Sequence, residues 1–164
     1  MKRLMKQRGF GMIEVLVSMV ILAIGILGIS ALQATSMKSN QSSFARTQAI
    51  LHTEDIVERM RSNLAGVRNG EYNDPTPAIN AACLTPAACT SAELAAHDVA
   101  EWQAGIAANM PMGSAMVCID STPDDGTPAA PACDDSGTVY AVKIWWDDRR
   151  EGTASQRYVT SFRP

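Results

Sequence analysis

The chain has 164 residues, four cysteines and a formal net charge of −3. This length accommodates one compact domain plus an anchor and disfavours several independent cores. Four of the 14 Lys and Arg residues lie in the first nine positions, so the remainder has 10 basic residues against 17 acidic ones, a net charge near −7. Because binding to nucleic-acid phosphates needs clustered basic residues, this balance argues against a nucleic acid as a partner.

The first element is a short basic stretch followed by a long apolar segment. Residues 10–32 are apolar except for Glu14, Ser18 and Ser30. A helix of this length rises roughly 34 Å, enough to span a bilayer. Because the basic residues precede the apolar segment, residues 1–9 are expected on the cytoplasmic side and everything after Leu32 on the outer side. The cysteines then lie in an oxidising compartment.

The same helix is predicted to continue beyond the membrane over residues 33–64, a stretch without Pro or Gly. Its outer half places Ile50, Val57, Met60 and Leu64 at spacings of seven, three and four, which predicts one face packed on a globular head. The head is expected over residues 65–164. Gly9 precedes the apolar segment instead of following it, which is unlike an ordinary secretory signal.

A second helix is predicted over residues 90–109, where Thr90 and Glu93 form a capping box and Pro111 ends the segment. The predicted buried stripe of this helix comprises Ala95, Val99, Trp102 and Ile106. Alternating patterns then predict three strands over residues 115–120, 138–146 and 156–162. These elements predict an α+β fold in which the long N-terminal helix packs on a small antiparallel sheet.

Two further expectations concern the strands and the loop between them. Tyr140, Val142, Ile144 and Trp146 form one apolar face, while Lys143 points the other way. The stretch of residues 121–137 is too polar to belong to the core. Of the adjacent pair Trp145 and Trp146, one is expected in the core and the other is open to an interface role.

The four cysteines are expected to form structural disulfides. Three connectivities are possible, and the simplest joins Cys83 to Cys89 and Cys118 to Cys133. Each of these pairs brackets a loop with little core of its own. Neither spacing matches a structural zinc site. We expect no metal, cofactor or catalytic group, and we interpret His52 and His97 as solvated surface residues.

The segment from Gly9 to Glu14, after a basic leader and at the start of an apolar helix, resembles the type IV prepilin cleavage site. The resemblance implies that prepilin peptidase cuts between Gly9 and Phe10 and that Phe10 becomes N-methylated. It also implies that the Glu14 carboxylate pairs with the N-terminal amine of a neighbouring subunit during assembly. A carboxylate in a membrane helix needs such a partner. The alternative is that Glu14, only five residues into the helix, reaches the cytoplasmic interface. Gly11 and Met12 replace the family's usual Thr-Leu pair.

Further along the chain, residues 14–17, 24–28 and 32–33 resemble the minor pilins called type IV pilus modification protein PilV. This resemblance implies an inner-membrane protein with a periplasmic head that helps to prime type IV pilus assembly and lies at or near the pilus tip. The implied partners are other minor pilins, the major pilin, prepilin peptidase and the inner-membrane assembly platform. Gly25 and Gly28 allow either close helix packing or local unwinding of the helix in a filament.

Two other functions are compatible with the same residues. A minor pseudopilin of a type II secretion system shares the leader and the helix, although the cysteines and the Pro-rich loops favour the pilus. A single-pass inner-membrane receptor is the second alternative, and it would function without removal of the leader.

Overall fold

The computed structural model describes residues 11–85 and 89–163, and it divides into two compact units, Met1–Gln41 and Ser42–Pro164. Helix α1 runs from Met12 to Ser62 and includes the boundary between the units. The apolar side chains of its first part are exposed, from Met12 to Leu32. The hydroxyls of Ser18 and Ser30 donate to the carbonyl oxygens of Val15 and Ile26, so these polar side chains are bonded within the helix.

In the second unit, α1 packs on the head through a different stripe from the predicted one. Val57 and Met60 are buried as expected, but Ile50 and Leu64 are exposed. The buried face of α1 instead comprises Ala49, Thr53, Ile56, Val57 and Met60. The prediction was wrong at its ends because it followed the largest aliphatic residues, whereas the helix turns a small Ala and a Thr toward the head.

The long helix also ends earlier than the predicted residue 64. Helix α2, Leu64–Arg68, begins after Asn63, whose side-chain oxygen accepts from the backbone N–H of Gly66. This N-cap satisfies a free donor of a new helix and so interrupts the old one.

Helix α3 spans Ser91–Asn109, and both hydrogen bonds of the capping box between Thr90 and Glu93 are present. Its predicted stripe is confirmed, since Ala95, Val99, Trp102 and Ile106 are all buried. The indole N–H of Trp102 donates to the carbonyl oxygen of His52 at 2.7 Å, which joins α3 to α1 within the head.

Three antiparallel strands form one sheet in the order β1-β2-β3: β1 is Ser114–Ile119, β2 is Tyr140–Trp146 and β3 is Gln156–Phe162. Central strand β2 is buried at every position. Its even-numbered residues join the hydrophobic core with α1 and α3. The predicted α+β architecture, a long N-terminal helix with a small antiparallel sheet, is confirmed.

The loop over residues 121–137 folds across the other face of the sheet, although its polar composition predicted a position outside the core. Lys143 is fully buried beneath this loop, and Trp145 is buried on the same strand face. Both tryptophans of β2 are 3% exposed, so neither is available as a surface anchor. The polar composition of the loop is compatible with this position because its acidic and carbonyl groups pair with Lys143.

Candidate functional site

The sequence locates the candidate assembly site at the N-terminal end of α1. Gly9 and Phe10, the residues of the predicted cleavage site, lie outside the described residues. Glu14 lies in the first turn of α1, where its backbone N–H donates to Gly11. A carboxylate in the first turn is favoured by the helix dipole.

The surface around Glu14 is apolar. An 18-residue window of α1 has a mean hydropathy of 2.7, and none of that window is buried within the chain. Among residues 11–85 and 89–163, no side chain forms an ion pair or a hydrogen bond with the Glu14 carboxylate. A contiguous exposed apolar surface of this size needs lipid or other protein around it. The segment is therefore suited to a membrane or to the packed interior of a helical assembly.

Gly25 and Gly28 lie one helical turn apart within this apolar segment. A methyl group built at either position would meet no heavy atom within 4 Å, so neither glycine is required by packing inside the chain. Helix α1 continues through both of them. The surface at these two glycines is thus open to a neighbouring helix. Close packing against such a helix and local unwinding of α1 both stay predictions.

A partly buried polar cluster holds the outer part of α1 to the rest of the head. It is formed by Arg59, Asn63, Tyr72, Asp98 and Glu101. The hydroxyl of Tyr72 donates to Asp98 at 2.6 Å, and the Arg59 guanidinium bonds Glu101 at 2.9 Å. Burial, assisted by the bond to Asp98, raises the pKa of Tyr72, so this phenol stays protonated. The cluster joins the last turns of α1 to α3 within the second unit.

The two histidines of the described residues are less exposed than predicted. His97 is 2% exposed, and its Nδ1 accepts from the backbone N–H of Asn80 at 3.1 Å. His52 is partly buried, and this burial lowers its pKa. Both histidines occupy packed positions because α3 lies against α1 and against the loop that follows Tyr72. The described residues contain no group of three or more His, Cys, Asp or Glu placed to hold a metal ion.

A second buried charge cluster lies on the outer face of the sheet. The Lys143 ammonium is 2.5 Å from Asp120 and 3.0 Å from Asp125, and it donates to the carbonyl oxygen of Pro131 at 2.8 Å. The bond from Lys143 lowers the pKa of Asp125. The ammonium thus donates to the carboxylate and the carbonyl oxygen of Asp125 and to the carbonyl oxygen of Pro131, and it pairs with Asp120 by charge. The sequence signal for this arrangement was a single Lys in an apolar strand, together with an Asp-rich loop that lies between two cysteines.

The structure joins Cys83 to Cys89 and Cys118 to Cys133, which is the local connectivity. The second disulfide ties the loop over residues 121–137 to β1. On the opposite side of this loop, Arg157 of β3 donates to the carboxylate of Asp124 at 2.8 Å. The loop is therefore fastened to both edges of the sheet as well as to its central strand.

Comparison with known proteins gives two matches, which together cover residues 4–100. A family model named Tt1218-like, type IV pilin Tt1218, matches residues 31–100. A model of the prokaryotic N-terminal methylation motif matches residues 4–30, which include Gly9, Phe10 and Glu14. No curated protein and no solved structure gave a match. The two matched segments adjoin, and together they cover α1, α2 and the first half of α3.

Proposed function

Because the chain is a type IV prepilin-like protein, we propose that it functions as a minor pilin of the PilV kind, which helps to prime type IV pilus assembly. In this proposal it is incorporated at or near the tip of the pilus. The pilin family is structural and not enzymatic, and accordingly we propose no catalytic role. The chain is anchored in the bacterial inner membrane by its apolar helix, with its head in the periplasm and a place in the pilus after assembly.

One observation supports the assembly role most directly. The matched methylation motif opens a helix whose first apolar segment, up to Leu32, is exposed and whose only acidic residue before Glu54 is Glu14. Lipid alone would accept the apolar surface but would leave the carboxylate without a partner. A neighbouring subunit provides both an apolar helix surface and, through the amine of its processed Phe10, a charge partner for the Glu14 carboxylate.

The proposed domain organisation follows from this role. Residues 1–9 are the leader removed by prepilin peptidase, residues 10–32 serve the membrane and then the filament, and residues 33–64 connect them to the head. Processing by the peptidase and contacts with pilus-assembly proteins follow from the family in general terms. We propose specifically that the partners are other minor pilins, the major pilin and the inner-membrane assembly platform.

The first test is the intact mass and N-terminal sequence of the chain isolated from membranes, with and without prepilin peptidase. We expect a chain that begins at methylated Phe10 only when the peptidase is present. A chain that begins at Met1 in both strains would refute the proposal and would favour the anchored receptor.

The second test concerns assembly after processing. Glu14→Gln should be processed normally but enter pili at least ten times less, because the amine of the neighbour loses its charge partner. Glu54→Gln is the matched control, since Glu54 is an exposed glutamate on the same helix. Equal incorporation of the two variants would contradict the role of Glu14.

A pseudopilin role in type II secretion is the alternative, and a deletion strain separates the two functions. Loss of surface pili and of twitching with normal secretion is expected for a minor pilin. Loss of secretion with normal pili would identify a pseudopilin.

A further inference from the structure

The two edges of the head sheet differ in how their backbone groups are bonded. At the outer edge of β1, the backbone groups of alternate residues already have partners within the head. These bonds run from Gln103 to the oxygen of Ala115, from Asp74 to the oxygen of Val117, from the N–H of Ile119 to Asn73, and from Asp135 to the oxygen of Ile119. Edge strand β1 is therefore covered by the chain itself.

These outward bonds determine the direction of every backbone group in the sheet. Successive residues of an antiparallel strand direct their N–H and C=O groups to alternate sides. Since alternate residues of β1 from Ala115 to Ile119 bond outward, Met116 bonds β2 through its register partner Lys143. The odd-numbered residues of β2 thus face β1, and the even-numbered residues face β3.

The same alternation applied to β3 identifies its free groups. Tyr158 and Thr160 pair with Ile144 and Val142, so their backbone groups bond β2. The N–H and C=O groups of Arg157, Val159 and Ser161 must then point away from the sheet. In contrast to the covered edge of β1, none of these six groups has a hydrogen-bond partner within residues 11–85 and 89–163.

Strand β3 lacks most of the usual protections of an edge strand, and its one charged residue, Arg157, is paired with Asp124 of the covering loop. It is seven residues long, pairs with β2 residue for residue without a bulge, and contains neither Pro nor Lys. Natural proteins shorten, charge, bend or cover such edges, because an open edge pairs readily with another chain. The retained open edge indicates a binding surface.

A groove of about 530 Å³ follows this edge. It is lined by residues 157–161 of β3, by Pro123 and Asp124 of the covering loop, and by Arg46 of α1. Asp124 is paired with Arg157, whereas Arg46 is exposed and has no ion pair in the described part of the chain. The groove therefore presents one uncompensated positive charge beside the open backbone groups.

We propose that the free edge of β3 binds an extended segment of another filament subunit as a fourth strand, with an acidic side chain of that segment placed on Arg46. Backbone hydrogen bonds supply affinity in this mode of recognition, and side-chain contacts in the groove supply specificity. The identity of the occupant as a filament subunit rests on the proposed function, whereas the strand pairing rests on the geometry of the sheet.

The test is photo-cross-linking of the full-length chain in cells, with p-benzoylphenylalanine in place of Ser161, an exposed residue on this edge. We expect one adduct with a pilus subunit, mapped by mass spectrometry to an extended segment that contains Asp or Glu. Val159→Pro removes an outward N–H without removing a bond to β2, and it should reduce the adduct at least tenfold. Val159→Thr keeps both the N–H and the β-branched shape and should preserve the adduct.

The charge is tested separately, with Arg46→Glu expected to lower the yield at least tenfold and Arg46→Lys to preserve it. Formation of both disulfides and resistance of the head to protease verify the fold of each variant. An adduct unaffected by Val159→Pro, an adduct on a helical segment, or no adduct from a folded chain would overturn the proposal. The N-terminal mass is read from the same samples: a processed chain without an adduct refutes only the strand pairing, and an unprocessed chain refutes the pilin function.

Discussion

Replacing Lys143 with Met should destabilise the head more than any other loss of a single positive charge. Met retains most of the apolar stem but removes the ammonium, so the fully buried Asp120 loses its counter-ion. Removing one partner of a buried ion pair costs about 3–5 kcal/mol, because the remaining charge stays buried without compensation. With a urea m-value of about 2 kcal/mol/M, the unfolding midpoint should fall by roughly 2 M.

Urea unfolding of the detergent-solubilised full chain, followed by tryptophan fluorescence, measures this effect. All three tryptophans lie in the head, at positions 102, 145 and 146, so the signal reports the head alone. The matched control is Arg61→Met, which removes an exposed ion pair with Glu58 and should cost less than about 1 kcal/mol. Asp120→Asn combined with Lys143→Met should recover part of the loss, because no uncompensated buried charge is left.

Equal midpoints for Lys143→Met and Arg61→Met would refute the reasoning. Such a result would mean that Lys143 reaches water and that the loop over residues 121–137 does not seal the outer face of the sheet.

Three further predictions concern the head. Replacing both Cys118 and Cys133 with Ser should cost about 3 kcal/mol in the same assay, because the disulfide closes a loop with a sequence separation of 15. Trp102→Ala should cost about 3–5 kcal/mol through the cavity it creates between α3 and α1, measured as a lowered urea midpoint. Thr90→Ala should destabilise the head at pH 7 by about 1 kcal/mol. Capping lowers the pKa of Glu93, so this carboxylate stabilises the fold above its ordinary pKa of 4.5 and ceases to do so as the pH falls further. Melting curves at pH 7 and pH 3 should therefore show a smaller deficit for Thr90→Ala at pH 3.

The elements that could be predicted from sequence are those specified by local patterns. The capping box at Thr90 and the four-residue stripe through Trp102 determine α3 without help from the rest of the chain. The alternation in residues 140–146 and 156–162 likewise specifies β2 and β3, because a strand pattern needs only a buried face. The motif around Gly9 likewise predicts an N-terminal methylation motif, which the match over residues 4–30 confirms.

The features that could not be predicted depend on residues distant in sequence. Burial of His97 requires the loop around Asn80 to return across α3, and burial of Lys143 requires carboxylates that lie 18 and 23 positions earlier in the chain. A charged residue in a strand ordinarily points to solvent, so only the folded loop reveals that its charge is compensated. The buried stripe of α1, which includes Ala49 and Thr53 in place of Ile50 and Leu64, likewise depends on the packing of the whole head.

The apolar surface of α1 and the free edge of β3 are both exposed, and they differ in the kind of partner that they can bind. The apolar surface of α1 accepts lipid or any apolar helix, and Glu14 is the one acidic side chain among residues 11–32. The free edge of β3 is directional, because three N–H groups and three C=O groups at fixed spacing accept only an extended strand. The covering loop leaves this edge open while it seals the adjacent face: Arg157 reaches back to Asp124 and Gly126, and its backbone still points outward. A chain that had only to be anchored would gain nothing from an open edge and would risk aggregation through it. The open edge is therefore more consistent with a subunit that recognises its neighbour through the head.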